Sequence, residues 1–332
     1  MPTIFDVAKK ANVSVMTVSR VLNKPTKVSP RTIKKIHLIM DNLGFQPSHI
    51  ARSLVKKKTN SIGIIMPDIK NTFFNNWFRS VDDYAQKFGY YSLLCNTDED
   101  TENEMKFIRL FHAQRVDGIL IVPHSKESVN YLVKSNMKFI LVDRMYASVN
   151  ADFITTDHFT GAYDATEYLV QLGHTRIGIL KGPGFLFPDV ERFRGFCSVM
   201  KKYNIEIKQE LIKNCKFEEA TAYDTVKDLF QQLNRPTAIF SFNSLMTIGA
   251  IKAIHSLNLS IPEDISLLSF DEIPGQDIFK PKITYILQPI ENLGKSAIKF
   301  LLEKIDNPEN KKKYRIFLKP ELIKGDSCRR IN

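Results

Sequence analysis

Acidic residues are almost missing from the first 58 positions, where only Asp6 and Asp41 stand against twelve Lys and Arg. From residue 59 onward the charges nearly cancel, so most of the formal net charge of +11 sits on about one-sixth of the chain. A positive field concentrated in this way is what a polyphosphate partner selects. Cysteine is scarce too: Cys95, Cys197, Cys215 and Cys328 lie far apart with no Cys-x-x-Cys pair. That spacing argues against a disulfide framework or a zinc knuckle and reads the four as reduced thiols. No stretch supplies the ~18 uninterrupted apolar residues of a membrane span. The opening MPTIFDVAKKANVS carries Asp6 and lacks the apolar run of a secretory signal. The expectation is a cytoplasmic protein with no membrane partner.

Catalytic and nucleotide signatures are equally thin. There is no Gly-x-Gly-x-x-Gly, and the Gly182-Pro183-Gly184 run lacks the Gly-Lys-Ser/Thr that would complete a phosphate loop. His158 and His174 stand alone at helix edges and are expected to be structural. No Ser/His/Asp, Cys/His or metal-spaced set stands out. The chain therefore reads as a non-enzyme with no cofactor and no metal.

With 332 residues, 43% hydrophobic and 25% charged, the chain suits a soluble protein of two or three compact units. Within the basic end, Thr3 and Asp6 have the spacing of a capping box, and Ile4, Val7, Ala8 and Ala11 recur at helical period, predicting a short helix that ends near Asn12. Ser14 starts a second helix, with Val18, Val21 and Leu22 inward and Val15, Met16, Ser19 and Arg20 outward. Two helices about three residues apart must cross steeply, which frees the second to enter a major groove. A third helix runs from Ser29 and Pro30 to Gly44, with Ile33, Ile36, Met40 and Leu43 facing in. The stretch from Pro47 to Leu54 is too short to be a stable helix alone. Lys56, Lys57 and Lys58 then form a basic linker.

After Asn60 the pattern changes to short apolar runs alternating with amphipathic helices. Strand-like runs fall at residues 62–66, 91–95, 118–122 and 139–142, and again at 177–180, 238–242 and 265–270. This alternation predicts two parallel sheets covered by helices, in two lobes, because the pattern resets after residues 152–157. Ligands in such folds collect at the carboxyl ends of strands. The residues there are Asp68, Asp143, Arg144, Asn243 and Asp271, with Phe73, Phe74, Phe217 and Phe242 near them. Carboxylates, an amide, guanidinium groups and aromatic faces suit a polyhydroxylated ligand.

The segments IFDVAKKANVSVMTVSRVLN, VSPRTIKKI and GFQPSHIARSL resemble the DNA-binding headpiece and hinge of the LacI/GalR repressors. The likeness continues through PDIKNTFF, RVDGILIV, LVDR, TTDHFTGAYDATEYLVQLGHTRIGILKGP, ERFRGF, RPTAIFSFNSLMTIGA, LLSFDE and LQPIENLGKSA. It implies an all-α helix-turn-helix headpiece joined to a two-lobed α/β core like that of the periplasmic binding proteins. The implied boundaries are a headpiece at residues 1–46, a hinge helix and linker at 47–60, a first lobe at 61–158 with about 289–318 returning to it, and a second lobe at 159–288 with about 319–332.

The same resemblance implies DNA contacts from Thr3, Val15, Met16, Thr17, Ser19, Arg20, Asn23 and Ser29. His49, Ala51 and Leu54 are expected to reach the minor groove, with Leu54 as an apolar wedge. Arg20 suits bidentate readout of guanine, and Val15 and Met16 offer apolar contact. Effector contacts are expected from Asp68, Phe73, Phe74, Asp143, Arg192, Phe217, Asn243, Asp271 and Gln288; Ser244 stands where many relatives carry aspartate. The implied partners are a pseudo-palindromic double-stranded operator, a sugar-like effector and a second copy of the chain, paired through the first lobe around residues 72–88. The C-terminal KGDSCRRIN has no leucine heptads, which favours a dimer.

Three other functions would share parts of this pattern. A solute-binding transport protein would share the core but needs an export signal and no basic headpiece. A catabolite-control regulator answering to a phosphorylated carrier protein would relax the polar pocket. A co-repressor regulator would take a nucleobase or nucleoside.

Overall fold

The computed structural model describes residues 2–23, 25–46, 58–278, 280–309 and 312–331. The chain divides into two compact units, residues 1–60 and 61–332. Among its described residues the first holds three helices: α1 (Ile4–Ala11), α2 (Val15–Asn23) and α3 (Pro30–Leu43), with a 3-10 turn at Pro25–Lys27. The capping box at Thr3 and Asp6 is complete. Asn12 takes a left-handed conformation, φ 52°, and Val13 N–H donates back to the Ala8 carbonyl, so α1 stops and the chain turns sharply into α2. Ser14 Oγ accepts from Thr17 N–H, and Ser29 Oγ accepts from Thr32 N–H at the start of α3. Gly44 closes α3 in the left-handed region.

Val7, Ala8 and Ala11 of α1 pack with Val18 and Val21 of α2 and Ile36 and Met40 of α3 in one small core. Val15 departs from the outward placement predicted for it. It is half-buried against this core, because the first turn of α2 leans on the other two helices.

The second unit is a two-lobed α/β body, as the alternating pattern predicts. One lobe is built on a six-stranded sheet in the order β11-β5-β4-β3-β1-β2. Its strands are β1 (Ser61–Met66), β2 (Tyr91–Asn96), β3 (Gly118–Ile121), β4 (Phe139–Val142), β5 (Phe153–Thr156) and β11 (Arg315–Leu318), all paired in parallel. The helices are α4 (Thr72–Lys87), α5 (Thr101–Gln114), α6 (Lys126–Lys134) and α11 (Ile290–Asp306). Apolar side chains of α4 and α11 pack over one sheet face, and those of α5 and α6 over the other. Runs such as SIGIIM and GILI are apolar at nearly every position because strands covered on both faces have no polar side.

The other lobe has the sheet order β12-β10-β9-β8-β6-β7. These strands are β6 (Ile177–Lys181), β7 (Ile212–Asn214), β8 (Ala238–Ser241), β9 (Ser266–Phe270), β10 (Thr284–Leu287) and β12 (Glu321–Ile323). The helices are α7 (His158–Gln171), α8 (Phe187–Lys202), α9 (Glu219–Gln231) and α10 (Ser244–Ser256). Only β12 runs antiparallel to its neighbour among the described pairs. Three connections pass between the lobes: β5 to α7 at Asp157, β10 to α11 at Gln288 and Pro289, and β11 to β12 at Lys319 and Pro320.

Candidate functional site

In the first unit, α2 turns Met16 and Arg20 outward on one face. Met16 is 63% exposed, unusual for a large apolar side chain, and Arg20 Nη2 lies 3.4 Å from its Sδ. Thr17 and Ser19 are half-buried beside them, and Asn23 Nδ2 donates to the Ser19 carbonyl at 3.0 Å. Thr3 and Ser29 are exposed caps of α1 and α3, so each marks a helix start whose N–H groups suit a phosphate. Lys9, Lys10, Lys27, Arg31, Lys34 and Lys35 are exposed around this frame. His49, Ala51 and Leu54 lie outside the described residues.

In the second unit a cavity of about 540 Å³ lies between the carboxyl ends of the two sheets. All nine side chains expected to contact an effector line it. Asp68 follows β1, where its Oδ1 accepts from Lys70 N–H at 2.8 Å, and Phe73 and Phe74 start α4 with their rings edge to face. Asp143 ends β4, Asn243 and Asp271 end β8 and β9, Phe217 follows β7, Gln288 follows β10, and Arg192 projects from α8. Of the twelve non-glycine residues with positive φ among those described, six line this cavity, including Asp143, Phe217 and Asp271. Backbone strain concentrated in this way marks a place where side-chain aim outweighs local stability. Gly182 serves the same end, since a Cβ there would overlap the Phe217 ring.

Arg192 makes no ion pair with its neighbours in sequence. Glu191 pairs with Arg194, and Asp189 accepts from Lys181 and from Gly182 and Gly184 N–H. The guanidinium instead donates to the Phe242 carbonyl and to His158 Nδ1, and it lies 3.7 Å over the Phe270 ring. His158 Nε2 lies 3.2 Å from Asp143 Oδ1 and 3.3 Å from Thr155 Oγ1. Burial raises the Asp143 carboxyl, but His158 and the two arginines outweigh it and hold it below the ordinary value. At Asp271 burial prevails over Arg192 and the Gln288 amide, and its carboxyl is pushed up to about 6. Gln288 Nε2 donates to Asp271 Oδ1. Asn243 Oδ1 caps α10 by accepting from Met246 N–H at 2.8 Å, which fixes the amide at the cavity wall.

Two further cavity residues, Glu99 and His124, and the buried His158 behind the wall were not expected from the sequence to bind or position an effector. Glu99 accepts both terminal nitrogens of Arg144, at 2.7 and 2.6 Å, and its Oε2 lies 2.9 Å from His124 Nδ1. His158, expected to be merely structural, joins Arg192 to Asp143. Glu99 and Arg144 are 45 positions apart in the sequence, so no local pattern could pair them. Among the described residues no group of His, Cys, Asp or Glu is arranged to hold a metal, and no helix is long and apolar enough to cross a membrane.

A helix-turn-helix unit followed by a two-lobed body with a polar cavity defines a ligand-responsive DNA-binding regulator. The pattern of bacterial regulatory proteins of the lacI family matches residues 3–48, and that of the periplasmic binding protein-like domain matches residues 166–328. The chain is 37% identical to the HTH-type transcriptional repressor PurR of Vibrio vulnificus over 100% of both chains. It is 30% identical to the HTH-type transcriptional regulator DegA of Bacillus subtilis over 99% of both. Among solved structures it is similar to a LacI family transcriptional regulator from Enterococcus faecium with bound ribose, at 29% identity and TM-score 0.74, covering 82% of this chain and 100% of that one. The lac repressor dimer bound to operator and the anti-inducer ONPF shares the fold at TM-score 0.87 and 24% identity over 98% of both chains. The chain belongs to the lacI family of bacterial regulatory proteins. It is a DNA-binding transcriptional repressor and not an enzyme.

Proposed function

We propose that this repressor acts in the cytoplasm as a homodimer on a pseudo-palindromic operator, and that a sugar or sugar derivative in the cavity acts as its inducer. The convergence of Asp68, Phe73, Phe74, Asp143, Arg192, Phe217, Asn243, Asp271 and Gln288 on one cavity carries this reading. Carboxylates and amides accept from and donate to hydroxyls, Arg192 supplies further donors, and the phenylalanine rings cover C–H faces. A ligand touching Asp143 on one lobe and Arg192, Asn243 and Asp271 on the other favours one arrangement of the lobes over the rest. It shifts the population only by its difference in affinity between those arrangements. Operator affinity is the readout of that shift.

On the DNA side, Arg20, Met16 and Val15 are the proposed base-edge contacts. Thr3, Thr17, Ser19, Asn23 and Ser29 are assigned to phosphate, sugar or positioning roles, and His49, Ala51 and Leu54 to the minor groove on family resemblance alone. The boundaries given above, with the second unit's two lobes at 61–158 and 159–288, are the proposed working domains. A thermal-shift screen of pentoses, hexoses and nucleosides against the purified repressor tests the effector half. A ligand at 100 times its Kd should stabilise by about 2.7 kcal/mol. Stabilisation by nucleosides alone would replace the sugar assignment.

A further inference from the structure

Resting on that effector reading, we propose that the cavity accepts an uncharged polyhydroxyl compound and turns away its carboxylate and phosphate counterparts. Arg144 is the residue that sets this rule, and Glu99 is the group that holds it.

Among the described residues Arg144 is the one arginine on the first lobe's side of the cavity, and its side chain is only 5% exposed. A free guanidinium there would be the natural anchor for an acid or a phosphate, because its parallel N–H groups match two oxygens. Here that fork is already filled. Both terminal nitrogens donate to the two oxygens of Glu99, and His124 Nδ1 approaches the same carboxylate from a second direction. Phe74 lies under the guanidinium, 5.9 Å from its ring centre. The left-handed backbone of Glu99, φ 56°, aims the carboxylate at this position. Burial raises the Glu99 carboxyl, but Arg144 and His124 more than offset it and hold it at about 2, so the pair stays ionised at neutral pH.

On the second lobe's wall the buried guanidinium is engaged as well. Arg192 spends donors on neutral acceptors, the Phe242 carbonyl and His158, while Asp271 and Asp143 are the strongest opposite charges acting on it. Two guanidinium groups thus meet three carboxylates, those of Glu99, Asp143 and Asp271, in the walls of the cavity. Lys70 and Lys216 also line the cavity, as do Asp68, Asp98 and Glu218, but both lysines are exposed, so their charges are screened by water. An entering carboxylate or phosphate would lose its hydration and find the terminal nitrogens of the Arg144 fork already taken, with Arg144 Nε left as a lone unpartnered donor, which is the costly case for a buried charge. Hydroxyl groups both donate and accept, so they can match carboxylate and guanidinium alike. Selectivity then comes from repulsion of the wrong ligand as much as from attraction of the right one.

The test compares matched ligands on the full-length repressor by titration calorimetry: D-ribose with D-ribonate and D-ribose 5-phosphate, and D-glucose with D-gluconate and D-glucose 6-phosphate. The anionic member of any pair that binds should be at least about tenfold weaker than the sugar. In Glu99→Gln, which frees the Arg144 fork, the anion should gain at least about tenfold relative to the sugar. An anion that binds the wild type as tightly as its sugar overturns the charge rule while leaving a small-molecule effector in place. An unchanged ratio in a Glu99→Gln protein that still binds operator overturns the role of the pair. If that variant does not fold, the wild-type ratio alone decides the rule. Nucleosides binding where none of these sugars or anions does would overturn the sugar reading itself, and this inference with it.

Discussion

Arg192 is held by His158 through an unprotonated ring nitrogen, with Nε and Nη2 lying 3.3 and 3.2 Å from Nδ1. A guanidinium can only donate, so Nδ1 accepts and the ring proton sits on Nε2, facing Asp143. His158 is the first residue of α7, directly after the chain crosses from one lobe to the other. One neutral imidazole therefore joins polar side chains of both lobes. His158→Ala should weaken effector binding roughly 10- to 100-fold, because it leaves Arg192 Nε and Nη2 without their acceptor and only the Phe242 carbonyl to hold the guanidinium. His158→Gln, which offers one acceptor and one donor, should recover part of that loss. Equal loss in both variants, measured by calorimetry, would assign His158 a packing role only.

The same imidazole makes stability depend on pH. Burial and the nearby Arg192 charge lower its proton affinity below the ordinary histidine value of 6.5. The unfolded chain therefore takes up a proton below about pH 6.5 that the folded chain resists, so the contribution is complete above that pH and is lost as pH falls. The melting temperature of wild type should drop more steeply between pH 7 and pH 5 than that of His158→Gln. Parallel curves would contradict the assignment of a neutral ring.

Asp271 works in the opposite direction. Its carboxyl, pushed up to about 6, ionises less readily in the folded than in the unfolded chain. Stability is therefore lost as pH rises from the ordinary carboxylate range to about 6, and the deficit persists at neutral pH. Asp271→Asn keeps an acceptor for Gln288 and removes the charge. It should stabilise the ligand-free protein at pH 7 by up to about 2–3 kcal/mol and abolish the effector response while leaving operator binding intact. A destabilised variant would mean that Arg192 depends on this carboxylate more than burial penalises it.

On the DNA-reading unit, Arg20→Ala should relax preference at one base pair of each half-site and cost about 1–3 kcal/mol on the preferred operator. Operator affinity should fall with salt at a log–log slope of about −0.9 per neutralised phosphate. Competition binding with single-base operator variants measures the first effect, and titration at several salt concentrations the second. A uniform loss on all sequences would assign Arg20 to phosphate instead.

The three helices of the first unit were legible in the sequence because capping residues and helical periodicity are local: Thr3 with Asp6, Ser14, Ser29 and Gly44 mark the ends directly. Val15 was misplaced because periodicity gives a direction on one helix and not the lean of its first turn on two others. In the larger unit the long apolar runs were readable, whereas β5, with FITT, and the antiparallel β12, with ELI, have no alternation to announce them. Cavity residues at strand ends could be found from the rule that ligands collect there, sharpened by family resemblance. Glu99, His124 and the true role of His158 could not, because their meaning lies in contacts made across 45, 25 and 34 positions of chain.

The most direct measurement is operator binding by fluorescence anisotropy, with and without a sugar that stabilises the protein, for wild type and Arg192→Ala. Sugar should weaken the wild-type complex by about 5- to 150-fold and leave the Arg192→Ala complex, equally tight without sugar, unchanged. A wild-type affinity that does not move with a sugar bound in the cavity would contradict control of the operator from this site.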